Sequence, residues 1–274
     1  MSDKPVVLLT GASRGLGLAI LKLLLSGSSS ASAPFPASRV VTISRTLSPE
    51  LSNLQSSHAS SLICIQGDVT SASINTRAVS EAIEKFGRLD SVILNAGVVS
   101  TEKLSDLSPD SFAETLNINT ISLVTTLSCS LPHLRKSSVG TVVFVSSGAA
   151  TGNIAAWGAY NASKAAMNAI CRTLANEEDS IAAFAVRPGV VDTDMQTLLR
   201  SQGREAMKQH EVQRFLDLHR DGMLLKPQQP AYTIAALATK GNRHEPKGKD
   251  GKGLGEQGAF VTWNDDVLQG YKNE

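Results

Sequence analysis

The chain has 274 residues, 42% of them hydrophobic and 19% charged, with 26 Lys and Arg against 25 Asp and Glu for a formal net charge of +1. That length buries one large core, and the near-neutral balance argues against nucleic acid or an acidic membrane surface as partner. An aromatic content of only 4% leaves few rings on which bases could stack.

The chain opens on "MSDKPVVLLTG", whose apolar run is too short for a signal peptide or a membrane span. The later run "LAILKLLL" at 18–25 contains Lys22 and is also too short to span, so a cytoplasmic protein is expected. "PVVLLT", "GASRGLG" and "LGLAILKLLL" read in turn as strand, glycine loop and amphipathic helix. Residues 26–38, rich in Ser and Ala with two prolines, read as an exposed insertion with no fold of its own.

Apolar runs follow at 39–44, 61–68, 89–97, 140–147 and 181–189, with helical periods at 71–86, 109–136 and 158–176 between them. Continuous Val- and Ile-rich runs alternating with helices predict an α/β fold: a parallel sheet covered on both faces. "GAFVTW" at 258–263 adds an edge strand. Residues 194–225 read as one or two amphipathic helices, a candidate lid, and the Gly- and Lys-rich stretch 240–258 reads as an exposed loop. Neither a repeat nor a second domain is apparent, so residues 1–274 are read as one domain. Cys64, Cys129 and Cys171 lie in apolar stretches without CxxC spacing and read as buried free thiols. His210 and His219 lack ligand spacing, so no metal is expected.

The chemistry concentrates in two places. "TGASRGLG" at 10–17 sets Gly11, Gly15 and Gly17 between a strand and a helix, where glycines let backbone approach a pyrophosphate that the helix N-terminus stabilises. "YNASK" at 160–164 puts Tyr160 and Lys164 on one helix face. With three tyrosines in the chain, that spacing alone says little.

With "GDV" at 67–69, "NAG" at 95–97, "NINT" at 117–120, "VSS" at 145–147 and "PGVVDT" at 188–193 following in order, residues 5 to about 195 resemble the short-chain dehydrogenase/reductase family. "VFVSSGAA", "WGAYNASKAAMNA" and "RPGVVDTDMQ" are most similar to its fungal and bacterial benzil reductases and their sepiapterin reductase relatives. The resemblance implies a single-domain Rossmann-type doubly wound parallel sheet. It implies Tyr160 as proton donor to a carbonyl, Lys164 as holder of the nicotinamide ribose, Ser147 as the substrate-orienting hydroxyl, and Asn119 behind Lys164 in a water-linked proton relay. Ser122 departs from the family, which has glycine there. A lysine cation beside a phenol, whose ordinary pKa is about 10, is expected to lower it. Ser146 and Ser147 point to opposite faces by strand alternation, leaving Ser146 a structural role.

Cofactor choice follows from charge. Dinucleotide folds that take NAD carry an acid after the second strand, whereas here that strand ends "TISRT". Arg45, with Arg14 in the glycine loop, is suited to a 2′-phosphate, so NADP(H) is expected. By the resemblance, Ser13, Leu16, Asp68, Val69, Asn95, Ala96 and Gly97 complete the adenosine side, with Asp68 on the adenine amino group. Pro188, Gly189, Val191 and Thr193 hold the carboxamide.

Trp157 and Met195, with Val98 and the helix near Met207 and Phe215, are candidates for an apolar substrate pocket. The expected activity is reduction of a ketone or an α-diketone such as benzil. Alternatives are a pterin, steroid or alcohol substrate, with Asp192 or Asp194 addressing a pterin, or a sensor that binds NADP(H) without chemistry. The resemblance also implies a homodimer or homotetramer paired through helices at 109–136 and 158–176.

Overall fold

A computed structural model describes residues 4–273; the first three residues of the N-terminal stretch read above lie outside them. Seven strands form one sheet: β1 (Val6–Thr10), β2 (Arg39–Ser44), β3 (Leu62–Gln66), β4 (Ser91–Leu94), β5 (Thr141–Val145), β6 (Ala182–Arg187) and β7 (Phe260–Thr262). Their order is β3-β2-β1-β4-β5-β6-β7 and every adjacent pair is parallel. The chain runs outward from β1 to β3, then returns to lay β4 on the other side of β1. That reversal opens a crevice at the carboxyl ends of β1 and β4, where ligands of such sheets bind.

Helices cover both faces: α1 (Gly15–Ser26), α2 (Pro49–Ser57), α3 (Ala72–Phe86), α4 (Pro109–Leu116), α5 (Ser122–Leu134), α6 (Gly158–Glu177), α7 (Asp194–Ala206), α8 (Gln209–Arg220), α9 (Gln228–Lys240) and the short α10 (Leu254–Gln257). Strand alternation divides the core. Val7, Leu9, Val143 and Phe184 pack on the α1 and α9 side, while Val6, Leu8, Phe144 and Ala185 pack on the α3, α5 and α6 side. All five β1 residues are buried, as a strand covered twice requires. Helix starts are written locally. Ser48, Ser71 and Ser108 accept the backbone N–H of Leu51, Ile74 and Ser111, and Pro49 and Pro109 occupy first turns.

Four expectations change. The helical period at 109–136 is two helices joined by a π-helical turn at Asn117–Ile121. Segment 26–38 lacks strand or helix, yet Ala33 and Phe35 are fully or almost fully buried, and the Phe35 ring meets Tyr232 edge-on at 5.1 Å. The Tyr232 hydroxyl donates to the Ala33 carbonyl at 2.8 Å, so this stretch is packed rather than an exposed insertion. Segment 240–258 carries α10 and a half-buried anchor: Arg243 Nη1 donates to the carbonyls of Ala175, Glu178 and Ile181 at 3.0, 2.6 and 3.0 Å. Of the cysteines, all free, only Cys171 is buried; Cys64 and Cys129 are half-buried. No helix among the described residues is long and apolar enough to cross a membrane.

Candidate active site

A cleft of about 920 Å³ runs across the carboxyl ends of the strands, from the glycine loop and the end of β2 to the start of α6 and the lid helices. Its floor is built by close packing. Gly11 has a φ of +76°, and a Cβ on Gly17 would lie 1.9 Å from the Gly11 carbonyl oxygen, so neither turn admits a side chain. Asn95 Nδ2 donates to the carbonyls of Thr10 and Gly11 at 3.0 and 2.9 Å, and Thr10 Oγ1 accepts from the N–H groups of Asn95 and Ala96 at 3.0 and 3.1 Å. The "NAG" stretch therefore clamps the glycine loop as well as lining the cleft.

Ser13, Arg14, Gly15, Leu16, Arg45, Asp68, Val69, Ala96 and Gly97 line the same end. Asp68 is exposed, and its Oδ1 accepts from the Thr70 N–H and hydroxyl at 2.9 and 2.8 Å, which holds the carboxyl below its ordinary value. Arg14 Nη1 is paired with Asp194 Oδ2 at 2.9 Å, with both side chains mostly exposed. This joins the glycine loop to the first turn of α7. Ser44 and Ser48 bind back to the loop, Ser44 Oγ accepting from the Ala12 N–H at 3.0 Å and Ser48 Oγ donating to the Ser13 carbonyl at 2.8 Å.

At the other end β5 delivers two serines of opposite fate. Ser146 is buried and donates to Asn168 Oδ1 at 2.6 Å. Ser147 faces the cleft; its Oγ accepts from the Ala149 N–H at 3.1 Å and hydrogen-bonds the Tyr160 hydroxyl. Tyr160 and Lys164 lie one turn apart near the start of α6, both buried and both lining the cleft. Lys164 Nζ lies 5.8 Å from the Tyr160 ring centroid and donates to the Val145 carbonyl at 2.8 Å.

The expected lowering of the phenol is reversed here. Burial pushes the Tyr160 hydroxyl above its ordinary value and outweighs the Ser147 hydrogen bond. Burial also brings Lys164 down to about 8. The two shifts move the groups apart: burial favours the neutral form of each, keeping the phenol protonated while the lysine gives up its proton more readily.

Asn119 sits behind the cleft in the π-helical turn, fully buried. Its Oδ1 accepts from the Val98 N–H at 2.8 Å, and its Nδ2 donates to the Val98 carbonyl and Ser163 Oγ at 2.8 and 3.0 Å. A Cβ on Gly97 would lie 3.2 Å from Asn119 Oδ1 and 3.8 Å from Lys164 Nζ, so a side chain there would crowd both groups. Ser122 fits without glycine's freedom because its hydroxyl donates to the Ile118 carbonyl at 2.6 Å.

Pro188, Gly189, Val191 and Thr193 follow β6 along the cleft, with the Thr193 methyl 3.2 Å from where a Gly15 Cβ would stand. Trp157 and Met195 line the substrate end with Val98 and Phe215. The Phe215 ring stacks on Trp157 at 5.9 Å, and Trp157 meets Tyr160 edge-on at 5.4 Å. Glu211 of α8 accepts the Ala155 N–H at 3.2 Å, which seats the lid helices against the approach to α6. Met207 is packed in this cluster and does not line the cleft. Ile154, Gln196 and Leu199 do line it; only the fold could single them out, since no local pattern marks them. Asp192 is exposed and lies outside the lining.

The family model for short chain dehydrogenases matches residues 5–204. The chain belongs to that family. A Schizosaccharomyces pombe relative described as an uncharacterized oxidoreductase is 40% identical over 94% of this chain and 96% of its own. The benzil reductase ((S)-benzoin forming) of Saccharomyces cerevisiae is 34% identical over 86% of this chain and 90% of its own. The benzil reductase of the same description from Bacillus cereus is 32% identical over 84% and 92%. Among solved structures, a short chain dehydrogenase/reductase of Saccharomyces cerevisiae superposes with a TM-score of 0.87 at 32% identity, covering 98% of this chain and all of that one. As a short-chain family oxidoreductase the chain acts on a small molecule with a nicotinamide dinucleotide.

Proposed function

We propose that this oxidoreductase is a cytoplasmic NADPH-dependent carbonyl reductase whose substrate is a ketone or an α-diketone such as benzil. The observation that carries the reading is the Ser147–Tyr160 hydroxyl pair, with Lys164 one turn on, at the junction of the dinucleotide end and the apolar end of one cleft. A binding-only sensor has no use for that assembly.

The residues fit the dinucleotide. The glycine loop leaves backbone open where Gly15 and Gly17 exclude a Cβ, and a helix N-terminus stands behind it. No carboxylate follows β2, where Ser44, Arg45 and Thr46 line the cleft, which favours a 2′-phosphate over a bare ribose hydroxyl. Arg45 supplies the cation, and Arg14 joins it on leaving Asp194. Asp68, through its Oδ2, takes the adenine side; Pro188, Gly189, Val191 and Thr193 take the carboxamide. When bound, the nicotinamide supplies the hydride that goes to the carbonyl carbon.

The chain's own residues do the rest. Ser147 and Tyr160 donate hydrogen bonds to the substrate carbonyl oxygen, polarising the bond and fixing its orientation. Tyr160 gives its proton to that oxygen as negative charge develops. Lys164 holds the ribose and, as a cation, lowers the cost of the transient phenolate. Asn119, behind Gly97, supports the route by which a water-linked proton replenishes the phenol. The apolar wall of Trp157, Phe215 and Met195 takes the substrate's hydrocarbon or aryl groups and keeps water away.

A pterin substrate has less support, because Asp192 stands outside the cleft. The implied pairing through the helices at 109–136 and 158–176 as a dimer or tetramer remains part of this proposal. Tyr160→Phe tests the chemistry: NADPH binding within about threefold of the parent and benzil turnover down by at least about 10³-fold are expected. Near-parental turnover overturns the mechanism.

A further inference from the structure

The cleft carries a donor that the reduction as described leaves unused. Trp157 is 6% exposed, lines the substrate end, and its Nε1 is buried with no hydrogen-bond partner among the described residues. An indole N–H is donor-only, and burial without a partner is costly, so such groups are retained where something else completes them. Asn161 Oδ1, one turn along α6, is also unpartnered, so the indole has not turned to that neighbour. The ring is held on two sides, edge-on to Tyr160 at 5.4 Å and stacked on Phe215 at 5.9 Å, so the N–H is fixed in direction rather than free to seek solvent.

The missing partner is therefore an acceptor, and its surroundings say which kind. The side chains clustered with Trp157 are Ala149, Ala156, Tyr160, Leu199, Met207, Val212 and Phe215, with Val99, Ile154 and Met195 at their margin. These are its apolar neighbours; Arg187 and Arg214 also line the cleft, and Glu211 sits on the Ala155 N–H. A neutral oxygen meets the donor without desolvating an anion in an apolar enclosure.

Resting on the carbonyl-reductase reading, we propose that Trp157 Nε1–H binds the second oxygen of a vicinal dicarbonyl substrate while Ser147 and Tyr160 hold the first. Trp157 is three residues before Tyr160 and its ring meets the Tyr160 ring edge-on, which brings both side chains to the same substrate end of the cleft. Trp157 thereby selects diketones over monoketones: a site built to pair a polar group rejects the analogue that lacks it.

The test pairs benzil with deoxybenzoin, the same skeleton without the second carbonyl, using the full chain and NADPH absorbance. Trp157→Phe removes the N–H and keeps an aromatic ring. The expected result is a ~10- to 100-fold fall in the benzil-to-deoxybenzoin ratio of kcat/KM, over and above any loss common to both from the altered wall, while Phe215→Leu, a packing change, lowers both together and leaves the ratio in place. Equal losses for the two substrates in Trp157→Phe, or no loss for either, overturn the proposal and leave the carbonyl-reductase reading standing. A parent enzyme that turns over neither ketone overturns that reading and the proposal together. Should Trp157→Phe not fold, Trp157→His retains a ring donor and is expected to keep the benzil preference; a preference lost in that folded variant refutes the assignment.

Discussion

Lys164 donates to the Val145 carbonyl at 2.8 Å while its Nζ stands 5.8 Å from the centre of the Tyr160 ring. A single carbonyl at the end of β5 thus holds the cation beside the phenol before any ligand arrives. Because burial brings this lysine to about 8, its charge titrates close to working pH.

NADPH binding should follow that charge. Below pH 8 Nζ is cationic and donates to the ribose; above it the charge is lost. A fluorescence titration is expected to give a constant Kd from pH 7 to 8 and then a weakening of up to about tenfold per pH unit. Lys164→Arg should be flat over the same range, since a guanidinium keeps its proton. A parental profile that stays flat to pH 9.5 would show that Lys164 does not titrate there.

The same burial opposes folding. A lysine lowered on folding is protonated in both states below pH 8, so its desolvation handicap is present in full there and fades between pH 8 and 10.5, as only the unfolded chain stays charged. Lys164→Met should therefore abolish turnover yet raise stability at pH 7 by about 1–3 kcal/mol, with the advantage shrinking toward pH 10. Urea unfolding of both proteins at pH 7 and 9.5 reads this directly; a variant less stable at both values contradicts it.

Asp194 competes for Arg14. Their pair is exposed, so breaking it should alter stability by less than about 1 kcal/mol. Asp194→Ala frees the guanidinium for a 2′-phosphate and is expected to tighten NADPH binding about threefold without changing NADH binding. The gain should fade in 0.5 M salt. An equal change for both cofactors would place the effect in the lid.

Phe35 anchors a segment whose composition suggests a loose loop. Phe35→Ala should cost about 3–4 kcal/mol through the cavity left beside Tyr232. A loss under about 1 kcal/mol in chemical denaturation would return that stretch to the status of an exposed insertion.

The sheet was legible because its strands are buried on both faces: the run read at 39–44 is β2 to the residue, and the other runs contain their strands with at most three flanking residues at either end. Helices with one wet face were legible too, as at 71–86. The buried α9 escaped, since ten of its thirteen residues lie inside and no polar stripe marks a period. The turn that splits 109–136 escaped because a π-helical hydrogen-bond shift changes no residue type. Every residue singled out for the cofactor and for proton transfer comes to the cleft or, like Asn119, directly behind it. The orphaned Trp157 Nε1 and the Arg14–Asp194 pair depend on where α7 and α8 settle, across 180 residues in the second case, and no local pattern encodes that.

Arg243 gives the Gly- and Lys-rich segment a mechanical role. Its guanidinium grips the chain at the far end of α6, whose 20 residues make a lever of about 30 Å with Tyr160 at the opposite tip. A tilt of about 3° at the grip would swing the phenol by more than about 1 Å, enough to spoil alignment with a carbonyl. One of the holds that seat the proton donor's helix thus comes from more than 80 residues downstream in the chain.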